Sequence, residues 1–187
     1  RWRKGEGTRA PGILGVNIGK QKTTPLEDAA GDYLKSFSLL ADYADYVAVN
    51  ISSPNTPDLR KLQGSGYLGG ILRTLNQANS ERVDSGKRKI PLLLKIAPDL
   101  DQAQIEEIVG TVIDCAWDGI IATNTTIDRS PPYENLEKQG GLSGQPLSER
   151  SKQVLRQVLR ATRGKVPVIG VGGIETADQM KEKLDAG

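Results

Sequence analysis

The sequence predicts an α/β protein, a (β/α)8 TIM barrel that is incomplete, with about five β-α units present. Three observations lead there: five near-continuous apolar runs of strand length, helical apolar spacing between them, and polar residues or glycines where each run ends. A strand covered on both faces reads as such a run. Alternation of strand and helix patterns argues a parallel sheet built from right-handed crossovers. In a barrel the strand ends converge on one mouth, so separated motifs can surround one ligand. In an open doubly wound sheet only those at a switch point meet. No Gly-x-Gly-x-x-Gly occurs, so nothing suggests a Rossmann dinucleotide site.

Ile13-Leu14-Gly15-Val16 is the first run and leads into Asn17. Thr24-Pro25-Leu26-Glu27 reads as a capping box with proline at the first helical position, opening a helix to about residue 43. Tyr46-Val47-Ala48-Val49 is the second strand. After it the chain turns abruptly polar in Asn50-Ile51-Ser52-Ser53-Pro54-Asn55-Thr56, mostly turn formers with hydrogen-bonding side chains. Alone, that segment is equally a strand followed by an Asx or Ser turn; recurrence of the pattern favours a functional role. A weaker helix covers about residues 67–78, and residues 82–89 read as a linker containing turn formers.

Leu92-Leu93-Leu94 runs into Lys95 and then Ile96-Ala97-Pro98-Asp99. Ile105, Ile108, Val109, Val112, Ile113 and Ala116 repeat at helical spacing. Ile120-Ile121-Ala122 leads into Thr123-Asn124-Thr125-Thr126. Residues 128–146 carry adjacent prolines, glycines and mixed charge without periodicity. A long structureless loop inside a compact domain is usually functional, and this one is expected to cover the strand ends, a plain surface excursion being the alternative. Val154, Leu155, Val158 and Leu159 mark the next helix, stopped by Gly164. The apolar run at residues 166–171 ends in Gly172-Gly173, and a last helix opens at Thr176-x-x-Gln179.

Composition excludes more than it identifies. The 187 residues are 37% hydrophobic and 26% charged, enough for one domain core. A net charge of +2 is too mild to argue for nucleic acid, and the patches Arg1-Trp2-Arg3-Lys4 and Lys87-Arg88-Lys89 read as solvated. One cysteine excludes an internal disulfide; with no histidine, it also leaves no zinc site, so no metal is expected. Cys115 lies in a helical apolar stretch and reads as a core residue. No stretch is long enough to cross a membrane.

The polar strand ends have chemistry of their own. An unpaired ammonium buried at Lys95 would cost roughly several kcal/mol, so Lys95 either meets an anion or snorkels out at the strand end. A carboxamide offers a donor and an acceptor without charge, which suits a polar ligand. Each of Asn17, Asn50 and Asn124 alone is more often a turn residue, but asparagines at three strand ends point to a ligand. A lone glycine pair is usually only a turn, but it lets backbone amides approach phosphate oxygens, and the end of a late barrel strand is where barrels commonly bind phosphate.

Gly15-Val16-Asn17-Ile18-Gly19-Lys20, Val49-Asn50-Ile51-Ser52-Ser53-Pro54-Asn55-Thr56, Leu94-Lys95-Ile96-Ala97-Pro98-Asp99, Thr123-Asn124-Thr125-Thr126, Gly140-Gly141-Leu142-Ser143-Gly144 and Ile169-Gly170-Val171-Gly172-Gly173 occur in this order. From about Gly12 to Gly187 the set closely resembles the dihydroorotate dehydrogenase family, FMN enzymes of pyrimidine biosynthesis. Ser53 resembles the class 2, quinone-reducing branch, since class 1 enzymes are expected to have cysteine there.

The resemblance implies that Ser53 is the base removing the C5 proton of dihydroorotate while C6 delivers hydride to flavin N5. A serine hydroxyl needs activation, and the implied relay is Thr56 with an ordered water. Lys95 is implied beside the flavin N1/O2 edge, where negative charge develops. Asn17, Asn50, Lys95, Thr123, Ser143, Gly144, Gly172 and Gly173 are the implied FMN contacts. Asn50, Ser53, Asn55, Asn124 and Thr125 are the implied contacts to dihydroorotate or orotate.

The chain as a whole is then expected to be a partial FMN-binding barrel domain, residues 1–11 being a linker or upstream helix remnant. The pattern begins on what would be the third family strand and stops before the last. The N-terminal helices that dock class 2 enzymes on the membrane and form the quinone tunnel are therefore expected outside it. The implied location is the mitochondrial inner membrane, with a bacterial inner membrane as the alternative. Two other functions stay open: another FMN-barrel pyrimidine oxidoreductase such as dihydropyrimidine dehydrogenase, whose base should be cysteine, and a non-catalytic flavin- or phosphate-binding fragment, which would not need Ser53.

Overall fold

A computed structural model describes residues 12–56, 59–136 and 139–187. The segment 1–11, expected as a linker or helix remnant and bearing the first basic patch, lies outside the described residues. The strands are β1 (Gly15–Gly19), β2 (Tyr46–Asn50), β3 (Leu92–Ile96), β4 (Gly119–Ala122) and β5 (Val168–Gly170). All pair in parallel in the order β1-β2-β3-β4-β5, without the reversal that creates a switch point. Helices α1 (Ala29–Leu40), α2 (Ser65–Asp84), α3 (Gln102–Asp114), α4 (Ser148–Thr162) and α5 (Ala177–Leu184) follow the strands in turn. This is an arc of the (β/α)8 barrel, whose closed form has eight strands.

Both faces of the sheet are apolar, which is why the strands read as continuous runs. Val47, Val49, Leu92, Leu94 and Ile120 join Phe37, Leu72, Ile105, Val109, Val154 and Val158 in the main core under the helices. The opposite face carries a second cluster, Ala48, Leu93 and Ile121, with Tyr46 packed against it. Small residues make room for it: a Cβ on Gly15 would stand 2.2 Å from Tyr46 Cζ, and one on Gly119 2.6 Å from Leu93 Cδ2.

Several boundaries differ from expectation. The first helix opens at Ala29, not at Thr24, and ends at Leu40. The carbonyl of Thr24 accepts the buried Lys20 ammonium at 2.5 Å, and Asp28 N and Ala29 N bond back to Pro25 O and Leu26 O in successive turns. The second helix runs well past residue 78, into the expected linker. Its continuation is polar because Asn79, although buried, bonds both Ile90 N (3.0 Å) and Ile90 O (2.7 Å). Asn17 and Lys95 lie within β1 and β3 rather than after them. Cys115, just after α3, is half-buried and packs against the main core, as a core residue at its margin.

The basic run 87–89 is bonded rather than simply solvated. Lys87 and Lys89 pair with Asp42 and Asp118, and Arg88 with the Ala44 carbonyl and Asp45. Those partners sit at the N-terminal end of the sheet. Asp45 Oδ2 accepts Leu14 N and Asp118 Oδ2 accepts Leu92 N, so each aspartate preceding a strand ties it to its neighbour.

Candidate active site

Strand register decides which side chains share a face, because laterally paired residues project to the same side. Gly19, Asn50, Lys95, Ile121 and Ile169 form one row across the sheet, on the face of the Ala48–Leu93–Ile121 cluster. Asn17 lies one layer lower, level with Ala48, and is exposed. The Asn50 carboxamide and the Lys95 stem thus stand side by side above an apolar floor. Lys95 is half-buried, and no described residue bonds its ammonium.

Asn50 is held from three directions. Its Oδ1 accepts from Ser52 N (3.1 Å), Ser52 Oγ (3.0 Å) and Asn124 Nδ2 (3.2 Å). Its backbone carbonyl accepts the Tyr33 hydroxyl at 2.7 Å. Burial pushes the Tyr33 phenol far above its ordinary pKa, so it stays a neutral donor. Fully buried Ser52 also lies 2.9 Å from Lys95 O and 3.0 Å from Asn124 Nδ2. One serine thereby joins the ends of β2, β3 and β4. Asn124 Oδ1 accepts Thr125 N at 2.8 Å, and the buried Thr123 hydroxyl is given to Asn124 O.

Ser53 follows on the β2 loop, half-buried, its Oγ accepting Asn55 N at 3.2 Å. Among the described residues no hydrogen bond joins Ser53 directly to Thr56. Asn55 is exposed beside the returning limb of loop 128–146. A Cβ on Gly141 would stand 1.8 Å from Thr125 Oγ1 and 3.1 Å from Pro54 Cγ, and one on Gly140 3.5 Å from Asn55 Oδ1. The loop lies against the β2 and β4 ends because Thr126 and Leu142 bridge, Arg129 donates to Thr126 O and Gly140 O, and Tyr133 donates to Gln145.

A second network ties the same loops together from outside. Arg60 donates to Asp99 Oδ2 (2.5 Å) and to Thr125 O (3.1 Å), while Thr126 Oγ1 donates to Asp99 Oδ1. Gln63 accepts Ala97 N at 3.0 Å and donates to Arg60 O. Sequence reading missed Ser52, Tyr33, Arg60 and Gln63. For Ser52 the signal was present, inside the very motif that carried Ser53.

The glycine motifs also converge. Gly144 (φ +75°) opens a 3-10 turn over Gln145–Leu147 that leads into α4. Gly173 (φ +65°) is pressed against Ser148, the first residue of α4, where a Cβ would stand 2.3 Å from Ser148 Cα. Glu175 Oε1 comes within 3.5 Å of a Gly144 Cβ. Ser143 is exposed on the same segment. Among the described residues no group of three His, Cys, Asp or Glu could hold a metal, and no helix is long and apolar enough to cross a membrane.

The sequence profile of dihydroorotate dehydrogenase matches residues 3–187. The chain belongs to the dihydroorotate dehydrogenase family. It is 47% identical over 189 residues to a dihydroorotate dehydrogenase (quinone) from Ralstonia nicotianae, covering 100% of this chain and 54% of that protein. To the enzyme of the same name from a Synechococcus strain it is 49% identical over 191 residues, covering 93% and 48%. A crystal structure of DHODH from Eimeria tenella in complex with ferulenol superposes with a TM-score of 0.86 at 33% identity, covering 100% of this chain and 53% of that one. The chain spans about half the length of the curated relatives it matches.

Proposed function

We propose that this chain is part of a class 2 dihydroorotate dehydrogenase. The whole enzyme oxidises (S)-dihydroorotate to orotate, through FMN, with a quinone as electron acceptor in de novo pyrimidine biosynthesis. The observation that carries this reading is the joining of Asn50, Ser52, Lys95 and Asn124 at one mouth, with Ser53 on the same loop. The names of the relatives support the quinone, and Ser53 supports the class.

The residues present fit FMN. A half-buried ammonium without a described partner stands beside a carboxamide on an apolar floor, and two positive-φ glycine motifs lie together with backbone a side chain would obstruct. Asn17, Asn50, Lys95 and Thr123 would hold the ring end; Ser143, Gly144, Gly172 and Gly173 would hold the phosphate end. Bound there, FMN supplies a hydride acceptor. There Ser53 would take the C5 proton of the substrate while passing its own hydroxyl proton on through Thr56 and water, and Lys95 would offset negative charge developing on the acceptor. Asn50, Asn55, Asn124 and Thr125 orient the substrate through its carboxylate, amide and carbonyl groups. The loop 128–146 excludes water over them.

A lipid-soluble acceptor puts the enzyme at an inner membrane: the mitochondrial one, or the bacterial one in a bacterial source. Contact with it is made by segments outside this chain. Anaerobic addition of dihydroorotate to the full-length protein tests the reading. Oxidised-flavin absorbance is expected to disappear and to return on adding a soluble quinone but not NAD. Flavin that stays oxidised, or that NAD reoxidises, would overturn it.

A further inference from the structure

Behind the Gly172-Gly173 turn lies a buried cation that the mechanism above does not use. Lys183, on α5, is 7% exposed, and its ammonium donates to Ser151 Oγ on α4 at 2.9 Å. Ser151 is fully buried, with its hydroxyl 2.9 Å from both Gly172 O and Ser148 O. An ammonium only donates, and a hydroxyl has one proton. Ser151 therefore accepts from Lys183 and gives its own proton to one of those two carbonyls. Both belong to the contact where Gly173 presses on the start of α4.

The geometry of one peptide carries the consequence outward. The Gly172–Gly173 bond is trans, so its C=O and N–H point in opposite directions. Holding Gly172 O toward Ser151 aims the Gly173 N–H away from α4. Gly173 is buried, yet no described residue accepts that N–H. Among the described residues no carboxylate pairs with Lys183 either; the neighbouring Glu149 and Glu182 are taken by Lys152. Burial pushes the Lys183 ammonium below the ordinary lysine pKa, as does Lys152, while Glu149 opposes the shift.

We propose that Lys183 is a positioning residue for the cofactor phosphate: through Ser151 it fixes the Gly172-Gly173 peptide so that the Gly173 N–H faces the phosphate. This rests on the proposed function, in which that turn holds the phosphate end of FMN.

Riboflavin, which lacks the phosphate, separates this role from packing. In full-length apoprotein, Lys183→Met is expected to raise the FMN dissociation constant about tenfold, the scale of a lost charge-assisted hydrogen bond, and to leave riboflavin affinity unchanged. Lys183→Arg should recover part of the loss. Ser151→Ala should weaken FMN in the same phosphate-selective way, and it decides the matter should Lys183→Met fail to fold. Equal weakening of both flavins, or no weakening, would overturn the inference. Wild-type protein that binds riboflavin as tightly as FMN would instead overturn the phosphate site itself, and the inference with it.

Discussion

Asn124 Nδ2 donates to Asn50 Oδ1 across 3.2 Å, bonding the end of β4 to the end of β2 over the intervening β3. Ser52 supplies the third corner, touching both side chains and the Lys95 carbonyl. Removing the hydroxyl takes an acceptor from the half-buried Asn124 amide and a donor from the pair Asn50 Oδ1 and Lys95 O. Ser52→Ala is expected to cost about 1–3 kcal/mol of stability. It should also lower kcat/KM for dihydroorotate by roughly tenfold or more as the asparagines lose their alignment. Denaturant unfolding and steady-state kinetics of the full-length enzyme check both.

Lys95→Ala should behave in the opposite way. No described bond engages its ammonium, so the melting temperature should hardly move. Flavin reduction by dihydroorotate should slow by about 10²–10³-fold, as for other donors aimed at developing charge. Stopped-flow reduction at wild-type speed with flavin bound would remove Lys95 from the mechanism.

Ser53→Ala separates base from scaffold. Orotate binding and reoxidation by quinone should persist while flavin reduction falls. Ser53→Cys should keep part of the activity with a shifted pH optimum, because a thiol ionises more readily. Since Ser53 Oγ also accepts Asn55 N, equal loss in both half-reactions would assign it to the turn alone.

Gly141→Ala tests the cover. The new methyl would collide with Thr125 Oγ1 and Pro54, and β-branched Thr125 has little freedom to turn aside. The loop limb must lift. KM for dihydroorotate is expected to rise about tenfold, while stability changes by less than about 1 kcal/mol, as for a surface loop. Unchanged KM would mean that the loop does not close the site.

Residues 1–187 expressed alone should be aggregation-prone, bind FMN weakly or not at all, and show no turnover. β1 and β5 are the edges of the five-stranded arc, and Ile13, Ile169, Val171 and Ile174 beside them are exposed. A soluble, monomeric, yellow preparation that turns over would contradict this.

Much of this was legible in the sequence because burial on both sheet faces leaves a plain signature. Leu92-Leu93-Leu94 reads as a covered strand, and the polar ends of the runs pointed to the mouth. The sharing of one row by Asn50 and Lys95 was not legible, since it depends on register. The start of α1 was misread because Lys20, a residue without helical meaning, captures the carbonyl of Thr24. Asn79 hid the second half of α2, its amide doing inside the core what an apolar side chain does elsewhere. Arg60, Tyr33 and Gln63 act across loops that are distant in sequence, and no local pattern announces such meetings.

The aspartates that precede β2 and β4 and the basic run 87–89 sit at the end of the sheet opposite the asparagines. Arg82 and Lys87 hold the Asp42 carboxyl below the usual carboxylate range. Its contribution is thus present above its unfolded pKa and is lost as acid protonates the carboxylate. These charge pairs lie at the pole of the arc away from the mouth. Charge at the base can therefore be rewritten, by selection or by an engineer tuning acid or salt tolerance, without touching turnover.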